Sequence, residues 1–219
     1  MKNNEELQKD VQDAIKWEPL LNAAEIGVTA KDGVVTLTGT VDSYTKKSEA
    51  ENAAKNVAGV QAVVEKIEIK FVSTLGIRSD NEIATEVLNA FKWNYEIPNE
   101  KVKIKVENGW VTLEGAVQWN YQKEAAKESA ANLVGVRGVT NNIAIKTEMN
   151  DSIEKDNIES ALMRNGSIDD DDIDVMVSGN KVTLKGVVHS FYQRDEAERI
   201  AWNAPGVWNV DNELVIEYN

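Results

Sequence analysis

The 219-residue chain has no cysteine and a single histidine, His189. These absences exclude disulfides, thiolate nucleophiles and cysteine-based zinc sites, and any histidine-dependent triad must be built on His189. No run approaches the roughly 18 consecutive apolar residues of a membrane-spanning helix, so no transmembrane segment is expected. The start, Met1-Lys2-Asn3-Asn4-Glu5-Glu6, lacks a basic segment followed by about 7–15 apolar residues and a small-residue cleavage site. The expected location is therefore cytoplasmic, with the periplasm as the alternative if an export signal has been removed. Positive charge is in deficit, 24 Lys+Arg against 37 Asp+Glu, for a formal net charge of −13. Such an acidic chain is not a general nucleic-acid binder, because neutralising phosphates needs a basic surface. Neither a Walker loop nor Gly-x-Gly-x-x-Gly occurs, and no cofactor is implied. What is present, 42% hydrophobic and 28% charged residues, fits a folded chain.

The organising feature is an internal repeat. Gly33-Val34-Val35-Thr36-Leu37-Thr38-Gly39 recurs as Gly109-Trp110-Val111-Thr112-Leu113-Glu114-Gly115 and as Asn180-Lys181-Val182-Thr183-Leu184-Lys185-Gly186. Downstream of each stands a Gly-Val pair, Gly59-Val60, Gly135-Val136 and Gly206-Val207, and then an apolar alternation, Ile67/Ile69, Ile143/Ile145 and Leu214/Ile216. Boundaries fall near 71–79 and 146–152, giving domains 1–72, 73–148 and 149–219.

Each copy reads as α-β-β-α-β. Leu7, Val11, Ala14 and Ile15 have the spacing of one buried helical face. The later copies of this helix follow Ser79/Asp80 and Asp151/Ser152, suitable N-cap residues. Strict alternation marks the first strand: Ile26/Val28/Ala30, Val102/Ile104/Val106 and Ile173/Val175/Val177. Asp32-Gly33, Asn108-Gly109 and Gly179-Asn180 then supply the positive φ of two-residue hairpins, with Asn180 expected to tolerate the left-handed conformation. The second helix carries small residues, Ala50/Ala53/Ala54, Ala126/Ser129/Ala130 and Ala197/Ile200/Ala201, which let it sit close on the sheet. A right-handed crossover through this helix joins the last two strands if they run parallel.

This sequence of amphipathic helix, alternating strand, Gly-x-Val-Thr-Leu-x-Gly, Ala-rich helix, Gly-Val and closing strand resembles the BON domain (bacterial OsmY and nodulation) family, in three tandem copies. The resemblance implies an α+β fold in which each copy is a three-stranded mixed sheet with two helices packed on one face. It also implies a non-catalytic binding or scaffold protein linked to osmotic or envelope stress, with anionic phospholipid or a protein as partner. The matching residues are turn and core positions, so they specify a fold and not an active site.

Candidate recognition residues are those that differ among copies. Lys101, Lys103 and Lys105 alternate with Val102, Ile104 and Val106, and are expected to point away from the buried face of one strand. Trp110 shares that parity across the hairpin, and Trp119 and Tyr121 follow in the next loop. Lysines beside aromatic rings suit an anionic, half-apolar surface. The middle copy is also the least acidic, net −1 over residues 74–149, against −3 over 1–73 and −9 over 150–219. Trp202 and Trp208 replace polar residues of the other copies and suggest an interface. Trp17 and Trp93 align at a helix end and read as structural.

An alternative function is a cation-responsive sensor or buffer for calcium, magnesium or potassium, through Asp169, Asp170, Asp171, Asp172 and Asp174. That run lacks EF-hand spacing, and a solvated acidic loop is the plainer expectation. His189 reads as a surface residue. Ser43-Tyr44-Thr45-Lys46 and Ser79-Asp80-Asn81 imitate penicillin-recognising motifs, but no Lys-Thr-Gly accompanies them.

Overall fold

The apolar alternations and two-residue turns build the same sheet three times. The computed structural model of the chain describes residues 2–71, 78–146, 153, 155–166, 168 and 173–217. Among them lie six α-helices and nine strands. The first repeat runs α1 (Asn4–Trp17), β1 (Ile26–Lys31), β2 (Val34–Val41), α2 (Tyr44–Lys55) and β3 (Ala62–Ile69). The second runs α3 (Asp80–Trp93), β4 (Val102–Glu107), β5 (Trp110–Val117), α4 (Asn120–Ala131) and β6 (Gly138–Ile145). The third runs α5 (Lys155–Met163), β7 (Ile173–Ser178), β8 (Lys181–Val188), α6 (Phe191–Trp202) and β9 (Asn209–Ile216).

Each sheet has its hairpin's second strand at the centre, in the orders β1-β2-β3, β4-β5-β6 and β7-β8-β9. The hairpin pairs are antiparallel, while β5/β6 and β8/β9 are parallel. In the first sheet, Gln61 N–H donates to Gly33 O and Lys70 N–H to Val41 O, so β3 tracks β2 in the same direction. The fold is α+β, with both helices of each repeat on one sheet face. In the third repeat Ile158 and Leu162 of α5, Val175, Val182, Leu184 and Leu214 of the strands, and Ala197, Ile200 and Ala201 of α6 form one core.

Local sequence accounts for the helix limits. Asn3 and Ser79 are N-caps of capping boxes, each reciprocated by a glutamate three residues on, Glu6 and Glu82. The buried stripes are Leu7, Val11, Ile15 on α1 and Ile83, Val87, Phe91 on α3. In the first two hairpins both turn residues take positive φ, Asp32 (50°) with Gly33 (79°), and Asn108 (52°) with Gly109 (81°). The third hairpin departs from expectation. Only Gly179 (φ 59°) is left-handed, the pattern of a turn with Gly in its first central position. Asn180 instead donates its side-chain N–H to Gly206 O at 2.7 Å.

The glycine closing each Val-Thr-Leu-x-Gly sits inside β2, β5 and β8 at φ 130°, 135° and 125°. A Cβ on Gly39 would run into the carbonyl oxygen of Glu25, and one on Gly115 into that of Lys101. Gly115→Ala should therefore cost about 2 kcal/mol or more. Urea denaturation of the full chain followed by circular dichroism checks this, with Gly166→Ala as control. A Cβ on Gly166 meets nothing within 4 Å, so that change should stay within about 0.5 kcal/mol.

Candidate functional site

The hairpin register sorts the predicted lysine and aromatic residues into separate places. β4 begins at Val102, opposite Gly115, and ends at Glu107, opposite Trp110. Lys101 is not in the strand. It closes a 3-10 turn, Asn99–Lys101, whose end satisfies the chain before pairing begins. Lys103 and Lys105 do point to the open sheet face, as their alternation requires, but they face Glu114 and Thr112 across the strands. Lys105 Nζ also lies 2.9 Å from Glu107 Oε2. The open face thus alternates in charge, because Glu107 and Glu114 share the lysines' parity, and no cationic stripe forms.

The aromatic residues divide likewise. Trp110 opens β5 and Trp119 stands just beyond its end, roughly 30 Å apart at strand spacing. Trp119 is the N-cap of α4, its backbone N–H bonded to Gln122 Oε1 at 3.2 Å, and Tyr121 is an exposed residue of that helix's first turn. They belong to the helix start and not to a loop. Trp202 is half-buried against the core of its own repeat, and its Nε1 donates to Glu198 at 3.4 Å. Trp208 is 42% exposed. Of the acidic run, Asp174 is an exposed residue of β7; Asp169, Asp170, Asp171 and Asp172 lie outside the described residues. His189 Nδ1 is 3.0 Å from Glu217 O, joining the ends of β8 and β9. Lys46 Nζ bonds Asp42 at 2.7 Å, and Ser79 is a helix cap, so neither serine motif holds a nucleophile beside a base.

Two arrangements were not anticipated. The first is at the ends of α1 and α3. Trp17 and Trp93 are 87% and 86% exposed, and Tyr95 is 95% exposed. Each tryptophan lies two positions beyond the last buried residue of its helix, Ile15 or Phe91. Two residues turn the helix by about 200°, which carries the ring to the side opposite the core. The backbone beneath Trp93 is fixed. Asn94 N–H bonds Ala90 O, Asn94 Oδ1 accepts from Glu96 N–H, and its Nδ2 donates to Ser129 Oγ at 3.1 Å. Ile97, buried, anchors the far side of Tyr95.

The second is a cleft of about 540 Å³ at the hairpin tip of the second repeat, lined by Phe71, Arg78, Asp80, Trp110 and Arg137 with the Asn108-Gly109 turn. Asp80 accepts from both turn amides, Asn108 N–H on Oδ2 (2.8 Å) and Gly109 N–H on Oδ1 (2.9 Å). Arg137 N–H caps the Gly109 carbonyl at 2.9 Å, and its guanidinium lies 5.4 Å over the Phe71 ring. Arg78 reaches Glu82 only at 3.8 Å. Trp110 lies against Gly138 of the neighbouring strand, where a Cβ would collide with the indole, yet it stays 52% exposed.

Shifted carboxylates elsewhere serve the scaffold. A hydrogen bond from Lys46 lowers the Asp42 pKa, and the Ser79 backbone N–H lowers that of Glu82. Glu196 is lowered chiefly by Arg199, whose Nε and Nη2 donate at 2.7 and 2.6 Å, and also by Asn165 Nδ2 at 2.7 Å. This carboxylate ties α6 to the residues just past α5. Its folded pKa lies below the ordinary 4.5, so its contribution is complete above that value and is lost as pH falls through the lowered one. Glu196→Gln should cost about 1 kcal/mol at pH 7, and a urea-denaturation series against pH should show the difference fading in acid.

The BON domain family matches residues 3–70, 79–147 and 150–218. Among curated proteins, the chain is 30% identical over 129 residues to the osmotically-inducible protein Y of Escherichia coli, covering 58% of this chain and 64% of that protein. It is 32% identical over 134 residues to the 21 kDa hemolysin of Actinobacillus pleuropneumoniae, covering 61% and 65%. The chain thus spans just under two thirds of the length of these relatives. A solved structure of CdsD, a structural protein of the type III secretion system of Chlamydia trachomatis, aligns over 96% of this chain and 92% of that one, at 15% identity and a TM-score of 0.27. With the family matched three times over almost the whole sequence and the αββαβ sheet formed three times, the chain belongs to the BON domain family.

Proposed function

We propose that this chain is a non-catalytic binding protein of osmotic or envelope stress that docks on anionic phospholipid surfaces through the exposed aromatic ends of α1 and α3. The observation that carries the reading is the exposure of Trp17, Trp93 and Tyr95, the last two on a backbone pinned through Asn94. Rings held outward have no core to stabilise, and indole and phenol settle at the boundary between headgroup and acyl chain. Lys16 and Lys92, each immediately before its tryptophan, supply cations at the same level, worth about 1 kcal/mol apiece near an anionic leaflet. The strongly negative third repeat is repelled by such a surface, which leaves contact to the first two repeats. Kinship with a protein named as osmotically inducible supports the stress assignment.

Co-sedimentation with phosphatidylglycerol-containing vesicles at low salt tests this. Wild type should sediment with them and remain free of phosphatidylcholine vesicles. Trp93→Ala should weaken binding about fivefold, as loss of roughly 1 kcal/mol of ring burial requires, and Trp17→Ala with it further still. Lys103→Glu with Lys105→Glu should matter less, since those lysines share their face with Glu107 and Glu114. Equal sedimentation of wild type and the double tryptophan variant rejects the assignment of these helix ends.

A further inference from the structure

The cleft at the hairpin tip of the second repeat lies at the opposite end of α3 from Trp93, about 20 Å along a helix of 14 residues. It is therefore separate from Trp93 and Tyr95. Its volume is in the range of small-molecule sites. In a chain with 13 more carboxylates than cations, it gathers two arginines. The single carboxylate lining it, Asp80, has one turn amide on each oxygen. Among the described residues Arg137 meets no carboxylate; its guanidinium is held against Phe71, which orients the fork and leaves its edge to donate.

The other repeats keep the scaffold here without the arginines or the indole. Gln61 and Trp208 occupy the place of Arg137, and each makes the same backbone bond to the tip carbonyl, on Gly33 and Asn180. Val34 and Lys181 stand where Trp110 is. Lys2, in the place of Arg78, is paired with Asp10 at 2.6 Å. Folding thus requires neither the arginines nor the indole. Trp110 lies against Gly138 and stays 52% exposed, and that exposure offers a surface for a flat ring.

We propose that this cleft binds a small phosphorylated ligand of nucleoside monophosphate size, its planar ring stacked on Trp110 and its phosphate held by Arg78 and Arg137. The ligand class follows from the pairing of a half-exposed indole with guanidinium forks, which bind phosphate through two parallel N–H donors.

Titration of the full chain with adenosine 5′-monophosphate, followed by calorimetry and amide chemical shifts, tests the proposal. Saturable binding is expected, with shifts centred on Asn108, Gly109 and Arg137. Adenosine and inorganic phosphate should each bind at least tenfold more weakly. Arg137→Gln and Trp110→Val, which install the first repeat's own residues, should each weaken binding about tenfold with unchanged thermal unfolding. Trp93→Ala should leave it unchanged, which separates this site from the vesicle contact. No saturable change at millimolar nucleotide, an affinity unaltered by Arg137→Gln, or phosphate alone binding as tightly as the nucleotide would overturn it.

Discussion

Everything in each repeat depends on one close approach between backbones. Where β2, β5 and β8 pass the start of their hairpin partner, the pairs Ile26↔Gly39, Val102↔Gly115 and Ile173↔Gly186 leave no room for a Cβ on the glycine in the two copies where the space is defined. The glycine's φ, above 120° in all three, is closed to most side chains. Fixing that one pair fixes the hairpin register, and a slip of one residue would turn the buried Val35 and Leu37, or Val111 and Leu113, outward. The other end of the hairpin is then tied twice. The helix start bonds the turn amides, through Asn4 to Asp32 N–H or Asp80 to Asn108 and Gly109 N–H, and the residue after Gly-Val bonds the turn carbonyl.

Those ties are made by backbone groups on the carbonyl side and by short polar side chains on the amide side. The side chain of the residue after Gly-Val takes no part in its bond, so Gln61, Arg137 and Trp208 are interchangeable as far as the turn is concerned. The same holds for Val34, Trp110 and Lys181, the first residues of the central strands, whose open-face positions carry no core packing. Gly138 shows how such a position is accommodated: the indole of Trp110 covers a residue without a side chain, while Ala62 and Asn209 stand there in the other sheets. Recognition chemistry is therefore free to vary at the tip without loss of the fold.

The repeat, the turns and the buried faces were legible in the sequence because they rest on local rules, a period of two in strands, three to four in helices, and glycine where φ is positive. The sites were legible only in part. Alternation placed Lys103 and Lys105 on the open face correctly, but Glu107 and Glu114 have the same parity and cancel their charge. Lys101 and Trp119 fell one or two residues outside the elements expected for them, the usual uncertainty of element ends. Trp17 and Trp93 resemble core residues by type, yet their offset of two from Ile15 and Phe91 already turned them to solvent. The cleft was hidden for another reason. Phe71, Arg78, Trp110 and Arg137 come from four separate stretches of chain, and only the tie between helix start, turn and Gly-Val loop brings them together.

The sheets of the second and third repeats show how the same scaffold disposes of cations differently. In the third, Lys181 and Lys185 of β8 reach Asp211 and Glu213 of β9 at 2.8 and 3.1 Å, so the parallel edge strand neutralises the central one. Thr140 and Asn142 occupy those β9 positions in β6, and Trp110 and Glu114 those of the β8 lysines. The second repeat thus has no acidic edge strand beside its central strand, and an aromatic ring stands where the third has an ion pair. Exposed pairs of this kind contribute at most about 1 kcal/mol to stability, so exchanging them alters the electrostatic character of a face at little cost to folding. The acidity of the third repeat and the arginines of the second are in this sense two uses of positions that the shared fold leaves unassigned.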